Sequence, residues 1–414
     1  MVQVRINAMT FGPYAVGDLD GKRVMVPHAA PGDLLEVAPA NERRDYTVAK
    51  LARVLVASNE RRPPPCPYLP RCGGCDWQHL QYAAQVRFKG ELIAAEFRRV
   101  FDLELDPATL VIPAPDEFGY RSRIRLKTDG DGKIGFHEPG SHRLVAVEHC
   151  LLAGFGLEQP ARLARALGRH CIEIEAVDAG GALVLIARLR DFIGAEAASR
   201  RLLETGGAIR GIVLRNESRR EIIGDAAIAV ELEPGLELIA DADQFSQINR
   251  GQNQRLIAAV MDLAEISGRL EVLDLFCGAG NFSLPAARRG ARVTGVDSDA
   301  SAIAAGNRNA ARMRLGETQF IAMRAAELAH FFERARFRPE IVILDPPRSG
   351  ALALMEKIAR LRPRAVIYVS CDLSTLMRDL AALKSRGYDV ARVRAFDFFP
   401  NTHHAEIAAR AVLT

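Results

Sequence analysis

No run of apolar residues in this 414-residue sequence is long enough to cross a bilayer. The longest near the middle, Ala182-Leu183-Val184-Leu185-Ile186-Ala187, falls far short of the ~20 residues a spanning helix needs. The N-terminal Met1-Val2-Gln3-Val4-Arg5 lacks the apolar stretch of a secretion signal. Charge of one sign is scarce: the net charge is +4 and the pI about 8.7, which permits a polyanionic partner without requiring one. No internal repeat is evident. Seven cysteines (66, 72, 75, 150, 171, 277 and 371) are too few for a disulfide framework in a chain of this length, so metal ligands, nucleophiles or core residues are expected. These absences predict a soluble, cytoplasmic monomer with no membrane partner.

What is present is ample apolar material, 49% of residues, over a length that exceeds one ordinary domain. Three parts are expected: residues 1–57, 58–240 and 241–414. In the first, short alternating runs such as Arg23-Val24-Met25-Val26-Pro27 and Tyr46 to Val56 are broken by Gly and Pro, which suggests a small β-barrel. The pattern Phe11-Gly12, Asp20-Gly21-Lys22, Pro31-Gly32-Asp33 resembles the TRAM domain, an OB-like RNA-binding barrel. Arg61-Arg62-Pro63-Pro64-Pro65 reads as a linker. Helical periodicity over 78–100 follows, then mostly strand signals from 120 to 240 with helices near 157–170 and 191–206. From Gln247 onward strands and helices alternate, which implies a parallel sheet.

Cys66, Cys72 and Cys75 form C-x5-C-x2-C in a loop shaped by two prolines and two glycines, and Cys150 is the next thiol along the chain. Four thiolates could hold Zn²⁺ or an iron–sulfur cluster, and spacing alone does not choose. The longer run Cys72-Gly73-Gly74-Cys75-Asp76-Trp77-Gln78-His79-Leu80 looks like the [4Fe-4S] segment of RNA 5-methyluridine methyltransferases, which shifts the choice to iron–sulfur with Cys150 as fourth ligand. Arg121, Arg123, Arg125 and Lys127 alternate along one strand face and would form a cationic stripe suited to RNA phosphates.

In the last part, Val272-Leu273-Asp274-Leu275 leads into Gly278-Ala279-Gly280, the first turn of a nucleotide-binding fold. Ser283 stands where a dinucleotide fingerprint has its third glycine, and Asp297 lies 19 positions past Gly278, where a carboxylate meets ribose hydroxyls. S-adenosylmethionine, which has a ribose and no phosphates, fits better than NAD. Two further apolar runs end in Asp345-Pro346-Pro347-Arg348 and Ser370-Cys371-Asp372. Cys371 at a strand tip beside such a pocket suggests a nucleophile, although free cysteine is often inert core. Cys277, inside the glycine turn, reads as packing. His403 and His404 are adjacent and point apart in a strand, so a metal role is disfavoured.

Together these segments, with Phe245-Ser246-Gln247-Ile248-Asn249 and Pro400-Asn401-Thr402-His403-His404-Ala405-Glu406, resemble the RNA uridine C5 methyltransferases, close to the large-subunit rRNA branch. The resemblance implies an α/β chain: a class I, Rossmann-like, S-adenosylmethionine-dependent catalytic domain behind an OB-like TRAM barrel and a central α+β domain carrying the cluster. It implies that Gln247, Phe276, Asn281, Asp297 and Asp345 line the cofactor and uracil pocket, with Cys371 as nucleophile and Glu406 as general base. The implied partner is RNA, rRNA ahead of tRNA. The chain departs from the family pattern at Asp372-Leu373, where Asn-Pro is common. It departs again at Arg324-Ala325-Ala326-Glu327, where no adenine contact can be assigned. An amine methyltransferase and a non-enzymatic RNA-binding protein are the rival readings.

Overall fold

A computed structural model describes residues 1–324, 327 and 338–414. Ala325 and Ala326, of the segment without an adenine contact, lie outside the described residues.

The first five strands, Val2–Met9, Tyr14–Leu19, Lys22–Pro27, Leu34–Glu42 and Tyr46–Val56, close into a barrel. Their alternation puts Val4, Ile6, Val24, Val26, Leu35 and Val37 inside. Trp77, Leu80, Ala84 and Phe88 pack against that core, so the cysteine loop and the helix after it sit on the barrel. The proline-rich linker is anchored at its start. Arg61 Nε donates to both oxygens of the buried Asp33 at 2.8 and 2.9 Å, and Arg62 pairs with Glu117.

Residues 120–224 form a seven-stranded mixed sheet with the helices Glu158–Leu167 and Ala195–Thr205 packed on it, where the periodicity placed them. The cationic stripe is not a free phosphate surface. The strand Cys171–Asp178 pairs antiparallel with Arg123–Thr128 and sets Glu173 opposite Lys127 and Glu175 opposite Arg125. Arg123 bonds Glu175 at 2.6 Å, and Arg125 lies 3.4 Å from Glu173 and 3.3 Å from Glu175. Lys127 pairs with Glu173. Like-spaced acids on the neighbouring strand thus hold Arg123, Arg125 and Lys127 in an ion-pair ladder, while Arg121 precedes the strand and lies near Cys75 and Cys150. Arg123 also reaches beyond the ladder. Its Nη2 donates to the carbonyls of Ala242 and Gln244 and to Ser246 Oγ, fixing the loop that carries Gln247.

The C-terminal sheet has eight strands. Parallel strands Thr318–Ala322, Arg292–Asp297, Glu271–Leu275, Ile341–Leu344 and Ala365–Ser370 lie side by side in that order. The antiparallel strand Glu406–Leu413 follows, then Tyr388–Phe396, and the short Val111–Ile112 forms the edge. The central parallel strands Glu271–Leu275, Ile341–Leu344 and Ala365–Ser370 are short, nearly all-buried apolar runs, as a sheet covered on both faces requires. Residues 82–112 are part of this layer: Ile93, Phe97, Phe101 and Val111 pack with Val366, Leu376 and Leu380. So is the hairpin Ala227–Glu233 and Leu236–Asp241, which packs on the helix Arg250–Ala264. The expected boundary near 240 falls inside this packed unit rather than at a gap. No described helix is long and apolar enough to cross a membrane.

Candidate active site

The carboxyl ends of the parallel strands meet at one edge, and each delivers a side chain there. After Glu271–Leu275 the chain turns through Phe276, Cys277 and Gly278. Phe276 adopts φ 62°, a left-handed conformation uncommon for an aromatic residue. Gly280 has φ 108°, and a Cβ there would meet Leu284 and Phe320 at 2.9 Å. The position that departs from the dinucleotide fingerprint has its own function: Ser283 Oγ donates to the fully buried Asp274 at 2.5 Å. Burial, opposed by that hydrogen bond and reinforced by the charges of Asp345 and Asp297, pushes the Asp274 carboxyl up to about 7.

Asp297 ends its strand and accepts the Gly278 amide at 3.0 Å and the Asp299 amide at 2.9 Å. One amide on each oxygen fixes the carboxylate while leaving lone pairs for two vicinal hydroxyls. Asp345 follows the strand Ile341–Leu344, and Gln247 Nε2 lies 3.5 Å from its Oδ2. Asn281 exchanges two side-chain hydrogen bonds with Asn253, at 2.9 and 3.1 Å.

Cys371 follows the strand Ala365–Ser370, and Glu406 opens the antiparallel strand beside it. Ser370 pairs with Ile407, so the next register position sets Cys371 beside Glu406. That antiparallel insertion is what lets the first residue of one strand meet the residue after the last of its neighbour. Burial and the Glu406 charge push the Cys371 thiol up to about 11, against the pull of the Arg348 guanidinium. Glu406 is 3% exposed, and burial with the charge of Asp345 holds its carboxyl well above the usual range. Burial likewise raises Asp345, to about 7. The site thus gathers two carboxyls of high proton affinity and one thiol near the exposed Arg348 guanidinium.

A cavity of about 510 Å³ is lined by Gln247, Phe276, Gly278, Asp297, Asp345, Arg348, Cys371 and Glu406, with Phe245 and Phe399. Asn281 lines an adjoining recess with Asn253, Phe276 and Asp345. Six of the seven residues expected at the pocket therefore line this cavity, and the seventh, Asn281, lines the recess that shares Gln247, Phe276 and Asp345 with it. Three further groups were not assigned from sequence. Phe245 is 76% exposed, an aromatic ring left in water at the cavity's edge. Arg348 lines the cavity, 3.4 Å from His404 Nε2. His404 is held down to about 3 by burial and by the adjacent cations, so it is neutral and able to accept from Arg348. Each stood inside a quoted segment, Phe245 before Ser246-Gln247, Arg348 after Asp345-Pro346-Pro347 and His404 before Ala405-Glu406, but none was given a role at the pocket. Cys277 is buried, as expected of a packing residue.

Cys66, Cys72, Cys75 and Cys150 are all free thiols, and Cys72 lies within electrostatic reach of Cys66, Cys75 and Cys150. Among the described residues, no group of three or more His, Cys, Asp or Glu side chains is arranged to hold a metal ion. Gln78 Nε2 donates to Cys75 Sγ at 3.2 Å, and the backbone amides of Leu152 and Ala153 face the Cys150 sulfur.

A family model described as tRNA (Uracil-5-)-methyltransferase matches residues 236–411. The 23S rRNA (uracil(1939)-C(5))-methyltransferase RlmD of Shewanella amazonensis is 32% identical over 413 residues, 94% of this chain and 91% of its own length. The protein of the same name from Pectobacterium atrosepticum is 33% identical over 407 residues, 94% of this chain and 89% of its own length. Among solved structures, the Pyrococcus abyssi tRNA (uracil-54, C5)-methyltransferase in complex with S-adenosyl-L-homocysteine aligns with a TM-score of 0.75. It covers 99% of this chain and 100% of its own at 24% identity, a likeness of fold.

Proposed function

The chain belongs to the family of S-adenosylmethionine-dependent RNA uracil-5-methyltransferases, and from that premise we propose that it methylates carbon 5 of one uridine in 23S rRNA. The observation that carries the mechanism is the meeting of Cys371 and Glu406 at adjacent ladder positions over one cavity. When bound, S-adenosylmethionine supplies an electrophilic methyl group. Asp297 would hold its ribose, and Phe276, Asn281 and Asp345 would surround the rest.

Uracil carbon 5 is a poor nucleophile. The Cys371 thiolate adds to carbon 6, and the ring's double-bond electrons pass to the carbonyl oxygen at carbon 4, giving an enolate. Carbon 5 then takes the methyl group. Glu406 removes the proton from carbon 5, and the electrons of that C–H bond re-form the ring double bond as Cys371 leaves carbon 6. A carboxyl held above its usual range is a stronger base for that carbon acid. Gln247, 3.5 Å from Asp345, would hydrogen-bond a uracil edge. The uridine must leave its stack to reach Cys371, which costs a few kcal/mol. Phe245 offers a ring on which a base can stack. Incubation with S-adenosylmethionine and 23S rRNA should give 5-methyluridine. A methyl group on an exocyclic nitrogen contradicts the reading, and product in tRNA alone moves the target to tRNA.

Asp297→Ala should weaken S-adenosylmethionine binding roughly 10- to 100-fold, the range for a lost hydrogen bond to a charged group. Calorimetry on the folded variant measures this; unchanged affinity removes Asp297 from the cofactor site.

For the cysteines we propose a [4Fe-4S] cluster on Cys66, Cys72, Cys75 and Cys150. The reading asks more of the thiols than their present arrangement, which is not itself a metal-binding group. What supports it is the donor set: four reduced thiols in one neighbourhood, amide donors aimed at the sulfurs, and Arg121 near Cys72, Cys75 and Cys150. N–H donors and a nearby cation suit an anionic thiolate cluster. Protein purified without oxygen should contain about four iron and four sulfide per chain. One zinc without iron contradicts the assignment.

A further inference from the structure

Glu406 enters the site from the loop Asp397–Ala405, which is neither helix nor strand. That loop is held from outside, and much of the grip comes from the cysteine loop. Asp76, next to Cys75, accepts the His403 amide on Oδ1 at 3.0 Å and meets His403 Nδ1 with Oδ2 at 2.5 Å. The backbone amides of Asp76 and Trp77 both donate to the Asn401 carbonyl, at 3.2 and 3.1 Å. Asn401 is fully buried in a left-handed turn, φ 68°. Gln85 and Lys89, four apart on one helix face, complete the clamp. Gln85 Oε1 accepts the Asn401 amide at 2.7 Å, and Lys89 Nζ bonds Asp397 at 2.6 Å with both side chains sealed from water.

Two residues separate His403 from the catalytic carboxyl of Glu406, so the clamp sets where that carboxyl stands. We propose that Asp76 is a positioning residue for Glu406, through which the cysteine loop governs proton removal from carbon 5 rather than attack on carbon 6. Cys371 reaches the site on its own strand, which the clamp does not touch. The inference rests on the proposed methyl transfer and separates its two halves.

Asp76→Ala should lower turnover roughly 10- to 100-fold, the loss that a misplacement of about 1 Å can cause. Adduct formation with 5-fluorouridine RNA should change by less than about threefold, since it needs no proton removal. On ordinary RNA a methylated Cys371–RNA adduct should accumulate, as it does not in the wild type, and Asp76→Asn should recover part of the turnover. Wild-type turnover in Asp76→Ala overturns the inference. So does a parallel loss of turnover and adduct formation in both Asp76→Ala and His403→Ala. If the wild type makes no 5-methyluridine, the proposed function fails instead.

Discussion

Cys371→Ala should abolish methyl transfer, by about 10⁴-fold or more, the scale seen when a nucleophile is removed from a working site. Among the described residues lining the cavity, none is a second thiol. Cys277 is buried in the glycine turn with its thiol pushed well above the usual range by burial. Without a thiolate on carbon 6, carbon 5 never becomes electron-rich. Cofactor binding should stay within a few-fold, because Asp297 and the glycine turn sit on other strands. On 5-fluorouridine RNA the wild type should form a denaturant-resistant adduct and the variant none. The thiol, raised to about 11, gives the wild-type reaction a pH signature. Below that value the thiolate fraction, and with it the adduct rate, should rise about tenfold per pH unit. An adduct in Cys371→Ala, or a flat pH profile with chemistry limiting, would place the nucleophile elsewhere.

Glu406→Gln should separate the two halves of the reaction. Glutamine nearly matches the volume of the carboxyl, so the buried start of the strand Glu406–Leu413 is preserved. It cannot take a proton from carbon 5. Turnover should fall by roughly 10² to 10⁴, the usual contribution of a positioned base. The methyl group should already have transferred, leaving RNA attached to Cys371 through a saturated carbon 6. Denaturing electrophoresis with labelled S-adenosylmethionine would show label in a protein–RNA band. Asp345 is the other carboxyl that borders the cavity and has a raised proton affinity, and normal turnover in the variant would hand it the base role.

The strand tips were legible in the sequence because each is a short apolar run stopped by Gly, Asp-Pro or Ser-Cys. Only a sheet covered on both faces has use for such runs. Asp297, Asp345 and Cys371 follow from that pattern. Glu406 follows from its place before an apolar tail and from the family resemblance. The cationic stripe misled because periodicity reports a shared face and not what lies across from it. Glu173 and Glu175 arrive from a strand nearly 50 residues later, with Arg125 and Glu175 separated by 50 positions. The clamp was invisible for the same reason at greater range: Gln85 and Asn401 stand 316 positions apart. Helical periodicity over 78–100 located the helix Tyr82–Phe101, but an apolar face does not say which sheet it will cover.

The most direct test is nucleoside mapping of 23S rRNA from cells lacking this gene, complemented with the wild-type chain or with Cys371→Ala. One 5-methyluridine should vanish on deletion, return with the wild type and stay absent with the variant. Unaltered 5-methyluridine in the deletion strain, or its return with Cys371→Ala, would contradict covalent uracil methylation by this protein.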